Sequence, residues 1–236
     1  MNRPSPTESV FVHGAAGKVE VLIDAPAVIH GIALVCHPHP LYGGANLNKV
    51  VHTLARAFRD LGFVALRPNF RGVGKSEGVH DHGEGESADM LDVLAWAQAR
   101  WGQLPLALGG FSFGAYIQSR IVPPLVTANA PLHQLVLVGM ATGSAADGAR
   151  EYAPPAVPKQ LPTLIIHGEH DTTVALGNVF DWARSQELPV IVLPGADHFF
   201  HGKLHLIREL ITRNVAPLSP PTARKGETHA VIHHAR

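Results

Sequence analysis

The stretch that decides the fold is Leu106-Ala107-Leu108-Gly109-Gly110-Phe111-Ser112-Phe113-Gly114-Ala115. Within it, Gly110 to Gly114 reads G-x-S-x-G. The string alone is common, and its setting is what carries information. An apolar run, Leu106–Gly109, precedes it. Ala115–Val122, a short helix stopped by Pro123-Pro124, is expected after it. A serine on a sharp turn between a strand and a helix takes a strained backbone position, and flanking glycines let the neighbouring chain pass close. Such a turn holds the hydroxyl at the carboxyl end of a parallel sheet, where α/β proteins place their sites.

A serine hydroxyl is a weak nucleophile. It needs a base, and the base needs an acid to orient it. After this elbow the chain order is serine, acid, histidine. Asp171 lies in His167-Gly168-Glu169-His170-Asp171, just after the apolar run Thr163–Ile166. His198 lies in Pro194-Gly195-Ala196-Asp197-His198-Phe199, just after Val190–Leu193. Both loops fall on the rim that carries Ser112. Asp171 also suits an N-cap for a helix starting near Val174, and the two roles are compatible. Glu169 is the rival acid. His201 and His170 are the rival bases. Asp197 reads as a surface or turn residue.

The remaining apolar runs are Ile32–Cys36, Phe63–Leu66 and Leu135–Val138, which read as buried strands. Amphipathic stripes alternate with the strands: Val50, Val51, Leu54, Phe58 and Leu61; Met90, Leu91, Leu94, Ala97 and Trp101 after an expected N-cap at Ser87; Leu176, Val179, Phe180 and Ala183; Leu204, Ile207, Leu210 and Ile211. Alternation of this kind implies parallel β-α-β units covered on both faces. Ser9–His13 and Lys18–Asp24 flank Gly14-Ala15-Ala16-Gly17 and read as an antiparallel hairpin at the sheet edge. The total is about eight strands in one domain, residues 1–215, followed by a flexible tail, 216–236. Ala141 to Pro162 is rich in Ala, Gly and Pro. It is too short for a large cap domain and long enough for a small flap.

A tetrahedral intermediate needs N–H donors at its oxyanion. The amide of Phe113, next after the nucleophile, is one. The other is expected from the loop His37-Pro38-His39-Pro40-Leu41-Tyr42-Gly43-Gly44. Pro38 has no N–H to give, so His39 leads by position and Leu41 is second. Gly74-Lys75-Ser76 resembles the end of a phosphate loop, but Asn69 stands where that pattern requires glycine. There the glycines shape a turn, with Arg71 or Ser76 making a local bond.

Composition narrows the function classes. The 236 residues carry 19 Lys+Arg and 19 Asp+Glu, so no basic field for nucleic acid or a membrane surface is expected. The one cysteine, Cys36, allows no internal disulfide and reads as a small buried hydrophobe at a strand end. The 16 histidines fall in no zinc-ligand spacing, so neither metal nor cofactor is expected. Neither an apolar leader nor a membrane span is apparent, and a cytoplasmic protein is the default expectation.

With these elements in order, the chain resembles the α/β-hydrolase superfamily. HPHPLYGGANLNKVV, RPNFRGVGKSEG, GGFSFGAY, HGEHDTTV and PGADHFFHGK are similar to its small, capless bacterial branch of hydrolases and carboxylesterases. The resemblance spans roughly residues 8–214. It implies an α/β-hydrolase fold, with a mostly parallel sheet, helices on both faces and no large cap. It implies Ser112 as nucleophile, Asp171 as acid and His198 as base. The expected activity is carboxylesterase action on small acyl esters, with thioester or amide cleavage as the alternative. A non-catalytic binding module is the alternative of another class. The expected partner is a small-molecule ester, and a homodimer is left open.

Overall fold

The computed structural model describes residues 6–144 and 150–218. The chain begins with an antiparallel hairpin, β1 (Glu8–Gly14) and β2 (Gly17–Asp24), and enters the sheet interior with β3 (Gly31–Cys36). Helix α1 (Lys49–Asp60), β4 (Phe63–Pro68), α2 (Glu84–Trp101), β5 (Leu106–Phe111), α3 (Phe113–Thr127) and β6 (Leu132–Val138) follow. A two-residue hairpin, β7 (Gly143–Ser144) and β8 (Glu151–Tyr152), interrupts the alternation. Then come β9 (Thr163–Gly168), α4 (Leu176–Arg184), β10 (Val190–Leu193) and α5 (Leu204–Asn214).

Eight strands form one sheet in the order β1-β2-β4-β3-β5-β6-β9-β10. The pairs β1–β2 and β2–β4 are antiparallel, and every pair from β4 to β10 is parallel. Strands β3, β4 and β5 are buried along their whole length, as expected of strands covered on both faces. Their side chains alternate between two cores. Leu34, Leu66 and Leu108 meet Met90 and Leu94 of α2, Ile117 and Ile121 of α3, and Val179 of α4. Ala33, Val35 and Val136 meet Val51, Leu54 and Phe58 of α1, and Ile207 and Ile211 of α5.

Two helix ends differ from the sequence reading. Helix α3 does not stop at Pro123; it runs through Pro123 and Pro124 to Thr127. Proline fixes φ near the helical value, so the turn can continue, but each proline removes an amide donor and crowds the carbonyl four residues back, a cost the last turn must offset. Burial of Leu125 beyond the prolines helps hold the last turn to the core. Helix α2 starts at Glu84, a turn earlier than Ser87 suggested. Its start is organised by Glu86, whose carboxylate accepts the amides of Gly83 at 2.8 Å and Asp81 at 2.9 Å. Ser87 instead donates its hydroxyl to the Gly83 carbonyl at 2.6 Å.

The domain also extends slightly past residue 215. The Ala216 carbonyl lies 2.9 Å from His133 Nε2, and Leu218 packs on the α1/α5 core. The rest of the expected tail, 219–236, lies outside the described residues. Among the described residues no helix is long and apolar enough to cross a membrane.

Candidate active site

Every turn of the elbow has a steric reason. Ser112 sits at φ 56° and ψ −119°, a left-handed conformation that side chains rarely adopt. Main-chain bonds hold it there. Its amide donates to Val138 O at 2.9 Å, and its carbonyl accepts from the amides of Ala115 at 3.0 Å and Ala141 at 3.2 Å. A Cβ on Gly110 would fall 2.4 Å from Gly114 O. A Cβ on Gly114 would fall 2.3 Å from Cys36 O and 2.5 Å from His37 O. The two flanking glycines therefore let the elbow close on itself and let α3 start against the end of β3.

Strands β9 and β10 deliver the partners. His198 Nε2 lies 3.1 Å from Ser112 Oγ, and His198 Nδ1 lies 2.7 Å from Asp171 Oδ2. All three side chains are buried. The other Asp171 oxygen accepts the amides of Thr173 at 2.9 Å and Val174 at 2.8 Å. The carboxylate thus faces the histidine and caps its own loop at once; α4 itself starts later, at Leu176. Below the histidine, the Phe111 ring lies 4.9 Å away, centroid to centroid, and is wholly buried.

The rivals lie elsewhere. Glu169 Oε2 accepts the Gly195 amide at 2.7 Å and ties the two loops together. His170 is exposed beside Glu169. His201 is exposed and bonded to Asp197, which leaves Asp197 a turn residue as expected.

Phe113 is the first residue of α3, so its amide is one of the helix N–H groups that no carbonyl of the same helix can reach. In the facing loop the His39 amide has no acceptor among the described residues. The Leu41 amide differs: it points at His39 Nδ1, 3.2 Å away within a 3-10 turn, Pro40–Tyr42. Leu41 is therefore not a free donor, and His39 stands alone as the candidate from this loop. The proline-rich loop is anchored from behind by His37. The His37 Nδ1 bonds Pro38 O at 2.7 Å and Nε2 accepts the Phe70 amide at 2.9 Å. Burial holds this ring neutral, pushed down to about 4.

Sequence reading missed two supports. His167, buried at the end of β9, places Nε2 3.0 Å from Val174 O and 3.4 Å from Asp171 Oδ2. Its position four residues before Asp171 was the available signal. Gln118 lies on the buried face of α3 and donates to Leu34 O at 2.9 Å and Gly109 O at 3.0 Å, fastening the elbow helix to β3 and β5. A glutamine between Ile117 and Ile121 on an apolar face marked it. Its amide also touches Cys36 Sγ at 3.2 Å, and burial raises that thiol far above its ordinary range. The glycine turn after β4 behaves as expected: Arg71 pairs with Asp89 at 2.8 Å and Ser76 Oγ donates to Asn69 O at 2.8 Å.

Ser112 and His198 open onto a pocket of about 380 Å3. Its walls are the 38–44 loop, Thr142, Ser144 and Tyr152 around the β7–β8 hairpin, and Val174 and Phe199. The hairpin is the small flap expected between Ala141 and Pro162; nothing larger covers the pocket among the described residues. Among the described residues no group of three or more His, Cys, Asp or Glu side chains is arranged to hold a metal ion.

Residues 30–153, just over half of the chain, match the family described as X-Pro dipeptidyl-peptidase (S15 family). The chain belongs to the α/β-hydrolase superfamily. Two solved structures of that superfamily are similar over nearly the whole chain. The α/β serine hydrolase homologue from Coxiella burnetii is 38% identical, with a TM-score of 0.77, covering 91% of this chain and 100% of that one. XC6422 from Xanthomonas campestris, described as an α/β serine hydrolase without lid, is 34% identical, with a TM-score of 0.77, covering 93% and 100%. The uncharacterized protein RP471 of Rickettsia prowazekii is 32% identical over 204 residues, 82% of each chain. This hydrolase thus shares its fold with a member described as lidless.

Proposed function

We propose that this hydrolase is a carboxylesterase that cleaves small acyl esters by way of an acyl-enzyme. One observation carries the reading: the unbroken line from Ser112 Oγ through His198 to Asp171 Oδ2, at 3.1 and 2.7 Å, at the base of an open pocket. Ser112 is the nucleophile. His198 Nε2 takes the hydroxyl proton as Oγ attacks the carbonyl carbon and returns it to the leaving alcohol. Asp171 only accepts, so it holds the proton of the neutral ring on Nδ1 and keeps Nε2 free to act as base. The amides of Phe113 and His39 receive the oxyanion. Water, deprotonated by the same histidine, then releases the acid and restores Ser112.

A pocket with no large cap among the described residues suits several short acyl groups. A second reading, amide or peptide cleavage by the same residues, is favoured by the description of the matching S15 family. A fluorophosphonate probe tests the shared step: the wild type is expected to be labelled and Ser112→Ala not. Matched p-nitrophenyl esters, acyl-CoA thioesters and X-Pro peptide amides then test the class. Esters are expected to lead, and faster turnover of the amides or thioesters overturns the carboxylesterase reading.

A further inference from the structure

The pocket above Ser112 has a lining that ester hydrolysis alone does not require. Phe, Trp and Tyr make up 6% of the chain, yet four of them line this one cavity: Tyr42, Phe113, Tyr152 and Phe199. Two of the chain's three tyrosines are in that set. The third, Tyr116, packs edge-on against Tyr152, with ring centres 5.2 Å apart.

These rings adjoin the reacting atoms. Phe113 and His39 carry the two amides assigned to the oxyanion, and their own rings lie 4.8 Å apart, centre to centre. From Phe113 the line continues edge-on to Tyr152 at 6.3 Å, and from His39 to Tyr42 at 4.9 Å. Phe199 directly follows the base and meets the His198 ring edge-on at 5.2 Å. A substituent on the reacting ester therefore lies beside aromatic surface.

Burial shows which rings have surface to offer. Phe113 is 1% exposed and has little left. Phe199 is 49% exposed, although Phe200 next to it is wholly buried. Tyr152 is partly buried and held by Phe113 and Tyr116, so a ligand need not order it. Charge is missing from the same wall: among the described residues that line the pocket there is no Lys, Arg, Asp or Glu. His39 is neutral near pH 7, because burial first of all pushes its ring down to about 4, and its Nδ1 accepts the Leu41 amide.

Any apolar group gains from covering such a wall in proportion to its area. An aromatic ring gains more, because the positive edge of one ring meets the negative face of another at about 4.5–7 Å between centres. Such a contact is worth a factor of about two to ten over an equal saturated area. We propose that this site selects small, uncharged esters that carry an aromatic ring, and that Tyr152 and Phe199 are the residues that read the ring. The inference rests on the esterase reading and names its substrate class.

Matched esters separate the ring from its size. Ethyl 3-phenylpropanoate is set against ethyl 3-cyclohexylpropanoate, and 2-phenylethyl acetate against 2-cyclohexylethyl acetate. Two methylenes part the ring from the ester in every case, so the reacting bond is alike within each pair. No p-nitrophenyl group is used, since its own ring would fill the site. Hydrolysis is followed by pH-stat titration. In at least one pair the phenyl ester is expected to show a kcat/KM about threefold or more above its cyclohexyl partner. The pair that shows it tells whether the acyl or the alcohol limb meets the rings. Combining Tyr152→Leu with Phe199→Leu keeps apolar surface and removes both rings. The preference is expected to vanish there, with melting temperatures confirming the fold. Cyclohexyl esters that equal or outrun both phenyl esters overturn the proposal, and so does a preference that survives the double variant. The same four esters, titrated calorimetrically into Ser112→Ala, keep the two readings apart. A wild type that cleaves no ester, while Ser112→Ala still prefers the phenyl members, loses the esterase reading and keeps the aromatic site. Equal affinities in Ser112→Ala, with no turnover in the wild type, overturn the aromatic site as well.

Discussion

His37 accepts the amide of Phe70, 33 residues further on, at 2.9 Å from its buried Nε2. One imidazole thereby joins the loop after β3 to the loop after β4, directly behind His39. The bond exists only while Nε2 keeps its lone pair.

That requirement gives a pH prediction. In the folded chain the His37 ring takes a proton only near pH 4, while in the unfolded chain it does so near the ordinary 6.5. Below 6.5 the unfolded state binds more protons, so stability is lost as pH falls from 6.5 toward 4, by up to about 3 kcal/mol from this one ring. His167, whose pKa burial also lowers, acts in the same direction. Melting temperature followed from pH 7.5 to 4.5 is expected to drop steeply below 6.5. In His37→Gln, which cannot titrate, the drop is expected to be shallower; an unchanged slope counts against this account.

Asp171→Asn is expected to keep the fold and lower kcat by about 10³–10⁴, because an amide no longer dictates the His198 tautomer. Glu169→Gln, which alters the bond to the Gly195 amide and the exposed pair with His170, is expected to stay within about threefold of wild type. Ester hydrolysis by the two purified variants decides between the carboxylates, and a reversed order of losses reassigns the acid.

Gly114→Ala places a methyl against the Cys36 and His37 carbonyls, where backbone on both sides must give way. The expected cost is about 3 kcal/mol or more, with misplacement of the Phe113 and His39 amides lowering kcat by at least about 10²-fold in whatever protein folds. Thermal melts and kcat on one phenyl ester measure both. Gly43→Ala, with open space around its Cβ but a φ of 77°, serves as the contrast and is expected to lose about 1 kcal/mol from backbone strain alone.

His167→Asn removes the contact between Nε2 and Asp171 Oδ2 without touching Ser112 or His198. A positioning role predicts a kcat loss of about tenfold with KM little changed, because only the orientation of the acid suffers. A lower melting temperature with unchanged kcat marks His167 as structural only.

Much of the fold is legible in the sequence. Apolar runs located all six parallel strands to within a few residues, most sharply β3, β4 and β5, since strands covered on both faces must be apolar throughout. Strand ends then located Ser112, Asp171 and His198, because in a parallel sheet all carboxyl ends share a rim. What escaped were properties of space rather than of sequence. The Leu41 amide is lost to His39 through the curl of a 3-10 turn. His80 and Glu86 become buried partners only because α2 starts a turn earlier than its apolar stripe shows. Helix α3 outlasts Pro123 and Pro124 while its far turn keeps Leu125 in the core, a balance that proline alone does not reveal.

The bonds that hold Ser112 at its unusual φ run to its main chain: Val138, Ala115 and Ala141 grip the peptide and leave the side chain out of the bargain. Residue 112 is thus a socket more than a serine. A cysteine or an unnatural nucleophile seated there inherits the same aim toward His198 and the same approach to the pocket. Chemistry at this position is exchangeable in a way that shape is not, and a chemist wanting a new reaction from this scaffold would change the side chain and leave the glycines alone.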